Sequence, residues 1–194
     1  MKKENASKER ARAWFEELRN RICAEFEGLE RETTGTLTKE KPGTFVKKSW
    51  LRHTDDGEDG GGGTMAIMRG RVFEKVGVNV STVHGTFSEN FKKQNPKLGK
   101  NGDFWASGIS VVAHMRSPLV PAAHMNTRYI TTTKQWFGGG ADLTPTFPSE
   151  PDKVEFHSAL KRACDKHNKT YYPKFSKWCD DYFFIPHRNE TRGV

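Results

Sequence analysis

Between residues 7 and 29 the apolar side chains Ala11, Trp14, Phe15, Leu18, Ile22, Phe26 and Leu29 recur at intervals of three and four. That period lines one stripe of a helix, so the stretch predicts an amphipathic helix with basic residues on its other face. Residues 33–35 break the pattern. TFVKKSWL, residues 44–51, is β-prone but alternates poorly, and DDGEDGGGG, residues 55–63, reads as a mobile acidic and glycine-rich surface loop. Beyond it MAIMRGRVFEKVGVNVSTVHGTF, ASGISVVAHM and HMNTRYITTT are rich in β-branched and aromatic residues punctuated by Gly and Pro. These predict a mostly antiparallel sheet. Ser149, Glu150 and Pro151 open a second helix running to about residue 167, with Phe156, Leu160, Ala163 and Cys164 at helical spacing. A third, over residues 173–184, carries Phe175, Trp178, Cys179 and Tyr182. Strands followed by helices place the chain in the α+β class, as a single domain over residues 1–194 without internal repeats.

Composition sharpens this picture in two ways. Hydrophobic content is only 34%, yet 13 Phe and 5 Trp supply large apolar faces, which argues against wholesale disorder. Lys and Arg number 32 against 24 Asp and Glu, a formal charge of +8 that favours an anionic partner: nucleic acid, membrane surface or polycarboxylate. No apolar run reaches the roughly 18 residues of a membrane span, and MKKENASKER lacks the apolar core of a signal peptide. The expectation is a soluble, cytoplasmic protein. Cys23, Cys164 and Cys179 form no C-x-x-C pair, and read as reduced structural cysteines.

Candidate chemistry concentrates on alternating strand positions. In ASGISVVAHM a period of two sets Ser110, Val112 and His114 opposite Ile109, Val111 and Ala113. In the next strand His124, Asn126 and Arg128 share a face, with Met125, Thr127 and Tyr129 on the reverse. The two prolines of RSPLVPAA fit a rigid connection, after which the two polar faces line one cleft. WFGGGADLTP then returns Asp142 toward Arg128 and His124, with Gly138, Gly139 and Gly140 as a bare wall against which something flat or bulky can lie. A solvated sheet face is the alternative reading of the same pattern. No phosphate loop, dinucleotide fingerprint or H-E-x-x-H motif is present. His114, His124, His157 and His187 lack a ligand spacing motif, so hydrogen-bonding roles outweigh a metal site. Two further function classes stay open on these features: a basic nucleic-acid-binding module using exposed aromatics, and a metal-dependent hydrolase built on the four histidines.

Five blocks, in order, carry a resemblance: VFEKVGVNVSTVHG (residues 72–85), ASGISVVAHM (106–115), HMNTRY (124–129), QWFGGGADLTP (135–145) and YYPKFSKWCDDYFFIPHRNETRG (171–193). Together they resemble the oxygen-dependent coproporphyrinogen III oxidase family. The resemblance implies a large antiparallel sheet flanked by helices on both sides, assembled as a homodimer. It also implies conversion of coproporphyrinogen III to protoporphyrinogen IX in haem synthesis. The ring A and B propionates become vinyls, with O₂ as co-substrate and CO₂ and peroxide as products. No organic cofactor and no nucleic acid is implied, and a divalent metal is disputed. Ser110, Asn126, Thr127 and Arg128 match substrate-binding positions, and His124 matches a proton donor. Asp142 matches the acid facing the pyrrole N–H groups, and His114, His124, His157 and His187 match proposed metal ligands. The sequence departs from the family's usual Pro, Asn and Thr at Met115, Ser117 and Ala123. After Val194 the family continues, so the domain is expected to be C-terminally incomplete.

Overall fold

A computed structural model describes residues 2–94, 102–191 and 193–194. The first element is helix α1, Lys2–Glu32, longer at both ends than the apolar spacing predicts. Ala11, Phe15 and Cys23 are buried, and Leu18, Ile22 and Phe26 pack beside them, which makes a stripe at intervals of three and four. Trp14 and Leu29, counted with that stripe on spacing, are about half exposed. Trp14 lies one residue off the buried line and carries the Arg21 guanidinium 5.4 Å above its ring, so its apolar area is partly covered by a cation instead of the core.

Six strands follow: β1 Val46–His53, β2 Asp59–Met68, β3 Phe73–Thr86, β4 Asp103–Met115, β5 Ala122–Thr131 and β6 Gln135–Thr144. They pair antiparallel in chain order from β1 to β6, the topology that short connections permit. A short helix, α2 Glu89–Gln94, precedes β4. The expected α+β class with a large antiparallel sheet is therefore observed. One sheet face is the core: Ala66, Met68, Val76, Val78, Val80, Ile109, Val111, Ala113 and Tyr129 are buried together with the α1 stripe. The period of two is what sorts these residues from their polar neighbours.

The loop expected at residues 55–63 is shorter. Only residues 54–58 form the turn, and Asp59 opens β2, whose Gly62 and Gly63 pair with both neighbours. A side chain at Gly62 would run into the Trp50 carbonyl, and one at Gly63 into the Val80 carbonyl. Here glycine serves close strand approach rather than mobility.

Helices α3, Glu150–Asp165, and α4, Tyr171–Phe183, pack on each other, joined by the His157–Tyr172 hydrogen bond. Ser149 caps α3 through the Asp152 N–H, with proline in the first turn, as its sequence predicts. Phe156 and Asp152 of α3 line a cavity with Leu119, Val120 and Leu143, which seats this helix pair at the β4–β5 connection and the end of β6. Among the described residues no helix is long and apolar enough to cross a membrane.

Candidate active site

Strand registers decide which side chains meet. Gly108 pairs with Arg128 and Arg128 with Gly138; Ser110 pairs with Asn126 and Asn126 with Gly140; Val112 pairs with His124 and His124 with Asp142. Directly opposed residues share a face. These rows therefore stand side by side on the sheet face that α1 leaves open. Ser110, His114, Asn126 and Arg128 are exposed there. The polar faces of β4 and β5, expected to line one cleft, form one continuous surface, because the strands pair directly across the Pro-containing connection.

Along β6 the open-face positions are Trp136, Gly138, Gly140 and Asp142. A Cβ at Gly140 would meet nothing within 4 Å, and one at Gly138 would meet only the Trp136 indole. The sheet backbone is thus bare beside an aromatic plane and a carboxylate. Gly139 and Thr127 fall on the opposite face, paired with each other. A side chain at Gly139 would strike the Asn126 carbonyl, so this glycine serves strand pairing, and the Thr127 side chain does not join the site row.

The polar centre is a chain of four side chains. His124 Nδ1 lies 3.1 Å from Asp142 Oδ2, and Thr144 Oγ1 donates to the same oxygen at 3.0 Å. His114 Nε2 is 3.4 Å from His124 Nε2. With the carboxylate ionised, His124 donates Nδ1–H to it, so a neutral His124 keeps its Nε2 lone pair toward the Nε2–H of His114. The side chains of His124 and Asp142 are 33% and 17% exposed, open to a ligand yet partly shielded from water. Cys179 of α4 lies within electrostatic reach: burial, then the charges of Asp180 and Asp142, raise its pKa and keep it a thiol.

Two of the four candidate histidines, His114 and His124, are brought together; the other two are not part of that pair. His157 is 2.9 Å from the Tyr172 hydroxyl, and His187 sits in the Pro186–Arg188 turn after α4. Among the described residues no group of three or more His, Cys, Asp or Glu is arranged to hold a metal ion. The donor set implied for a divalent metal therefore does not assemble, because the strands bring together one pair and His157 is engaged on the helices. Thr144 escaped the sequence reading, although it stands two residues from Asp142 and so shares its face.

The model for the family described as coproporphyrinogen III oxidase matches residues 10–194. The chain is 54% identical over 182 residues to the oxygen-dependent coproporphyrinogen-III oxidase of Rickettsia bellii (strain RML369-C), covering 94% of this chain and 63% of that protein. It is 53% identical over 188 residues to the protein of the same name from Rickettsia peacockii (strain Rustic), covering 97% and 65%. With that of Rickettsia akari (strain Hartford) it shares 54% over 194 residues, covering 100% and 67%. The chain thus spans about two thirds of the length of the curated relatives it matches. Blocks spread along the chain, a family model spanning nearly all of it and relatives above half identity converge: the chain belongs to the coproporphyrinogen III oxidase family.

Proposed function

We propose that the open sheet face binds coproporphyrinogen III and supports its O₂-dependent oxidative decarboxylation, converting the ring A and B propionates to vinyls in haem synthesis. The observation that carries this reading is the His124–Asp142 pair set beside bare backbone at Gly138 and Gly140. A porphyrinogen is bulky and non-planar, with inward N–H donors and peripheral carboxylates. Glycines let backbone approach the macrocycle, and the carboxylate of Asp142 accepts pyrrole N–H bonds. His124 and Thr144 both engage Oδ2, which leaves Oδ1 for the substrate. As electrons leave a pyrrole, positive charge grows on it, and Asp142 stabilises that charge more in the transition state than in the ground state.

Atom balance assigns His124 its part. Each propionate, CH₂CH₂COO⁻, with O₂ and one proton gives a vinyl group, CO₂ and H₂O₂. One proton is consumed per propionate, and His124 in its imidazolium form is placed to supply it from Nε2, the nitrogen that Asp142 does not hold. Arg128 is exposed on the same face. A cation on the reacting carboxylate would stabilise charge that must leave as CO₂, so Arg128 anchors a propionate that is not reacting. Ser110 and Asn126 complete the binding row, and no step requires a metal ligand set. The net charge of +8 draws a tetracarboxylate substrate. A homodimer working in the cytoplasm completes the proposal, in keeping with the family resemblance.

The test is aerobic incubation of the chain with coproporphyrinogen III, measuring O₂ uptake, CO₂, peroxide and vinyl product together. The expected ratio is one of each per propionate lost, and Arg128→Ala is expected to raise KM and to alter which propionate is lost. Substrate that neither binds nor turns over contradicts the proposal.

A further inference from the structure

We infer that Asn79 is a further substrate-contacting residue, whose carboxamide donates through Nδ2 to a substrate carboxylate. The inference rests on the function proposed above and extends its binding row to a third strand. Asn79 pairs in register with Ser110, which pairs with Asn126, which pairs with Gly140. All four stand on the open face in one line across β3, β4, β5 and β6.

The carboxamide has no structural employment that would explain it. Its Oδ1 is buried without a hydrogen-bond partner. Asn disfavours strand interiors, and β3 is a central strand whose neighbouring positions Val78 and Val80 are buried valines. Keeping this amide in β3 with its oxygen orphaned costs stability, so its retention calls for an explanation on the donor side. Its direction supplies one. Nδ2 lies over Gly77, 3.7 Å from where a Cβ on that residue would stand. Gly77 begins the adjacent row, which continues through Val112 and His124 to Asp142. The donor end of Asn79 thus leans toward the row that carries the reacting groups, over another stretch of bare backbone. Coproporphyrinogen III offers four peripheral carboxylates, which are acceptors only when ionised, so an amide N–H is the complementary group.

Anaerobic titration of the chain with coproporphyrinogen III, which binds without turnover when O₂ is absent, tests the idea. Asn79→Leu keeps the branched side-chain shape and removes the orphaned amide oxygen, so its melting temperature is expected to equal or exceed that of the unaltered chain. Its Kd is expected to rise about tenfold, the scale of one hydrogen bond to a charged group. Asn79→Asp, which sets a negative charge against the carboxylate, is expected to weaken binding further. Equal Kd values for the unaltered chain and both variants overturn the inference and leave the proposed function standing. Absence of binding by the unaltered chain overturns both.

Discussion

Glu30 and Asp142 bring the same carboxylate group to two regions built on opposite terms. Near the end of α1, Glu30 is fully buried and accepts the backbone N–H groups of Gly43, Arg71, Val72 and Phe73 at 2.9 to 3.0 Å. Arg71 closes the arrangement by donating to the carbonyls of Glu30 and Arg31 at 2.7 and 3.0 Å. Burial by itself would raise the Glu30 pKa, but the bonds from Gly43, Phe73, Arg71 and Val72 outweigh it and hold the carboxyl below its usual range. Asp142 takes its bonds from two side chains on one oxygen and stays partly exposed. One carboxylate spends its hydrogen-bonding capacity joining helix to sheet, and the other keeps capacity in reserve. Burial and partner type, not residue type, separate a folding role from a chemical one.

The sharpest break of this contrast is Glu30→Ala. It orphans four backbone N–H groups at about 1–3 kcal/mol each, so the urea midpoint is expected to report a loss of about 4 kcal/mol or more, most of a small domain's stability. A loss under about 1 kcal/mol would contradict the clamp. The next effect is on pH dependence. Because the folded pKa of Glu30 is depressed, its contribution is fully present above the ordinary Glu value of about 4.3 and disappears as pH falls through the folded value. Unfolding free energy measured from pH 6 to pH 3 should therefore fall less steeply in Glu30→Gln. Two glycines sharpen the comparison further. A Cβ at Gly70 would press into the Glu30 carboxylate, so Gly70→Ala is expected to cost about 2 kcal/mol. At Gly140 the space is open, and Gly140→Ala is expected to shift stability by less than about 0.5 kcal/mol while weakening coproporphyrinogen III binding.

The site was more legible than the clamp. Period-two alternation put His124, Asn126 and Arg128 on one face of β5 and Ser110 and His114 on one face of β4, and the short return brought Asp142 to His124. Alternation alone also set Thr127 on the reverse of β5, but pairing register is not readable from one strand, so the sequence could not say that Gly138 and Gly140 stand beside Arg128 and Asn126, or that Asn79 joins the row. Glu30 was invisible because its partners are backbone groups 13 to 43 residues away, and backbone donors leave no trace in side-chain pattern. The run of glycines at residues 60–63 misled for a related reason. Composition signals freedom, whereas close strand approach demands the same residue. Trp14 and Leu29 fit helical spacing yet lie outside the buried stripe, because spacing fixes a helix but not the width of its buried face.

Turnover of Asp142→Asn, measured beside its melting temperature, tests the division of labour most directly. The account predicts that kcat with coproporphyrinogen III falls by about 10²-fold or more while the melting temperature stays within about 2 °C of the unaltered chain. Turnover close to that of the unaltered chain, or loss of turnover that tracks loss of folded protein, would contradict it.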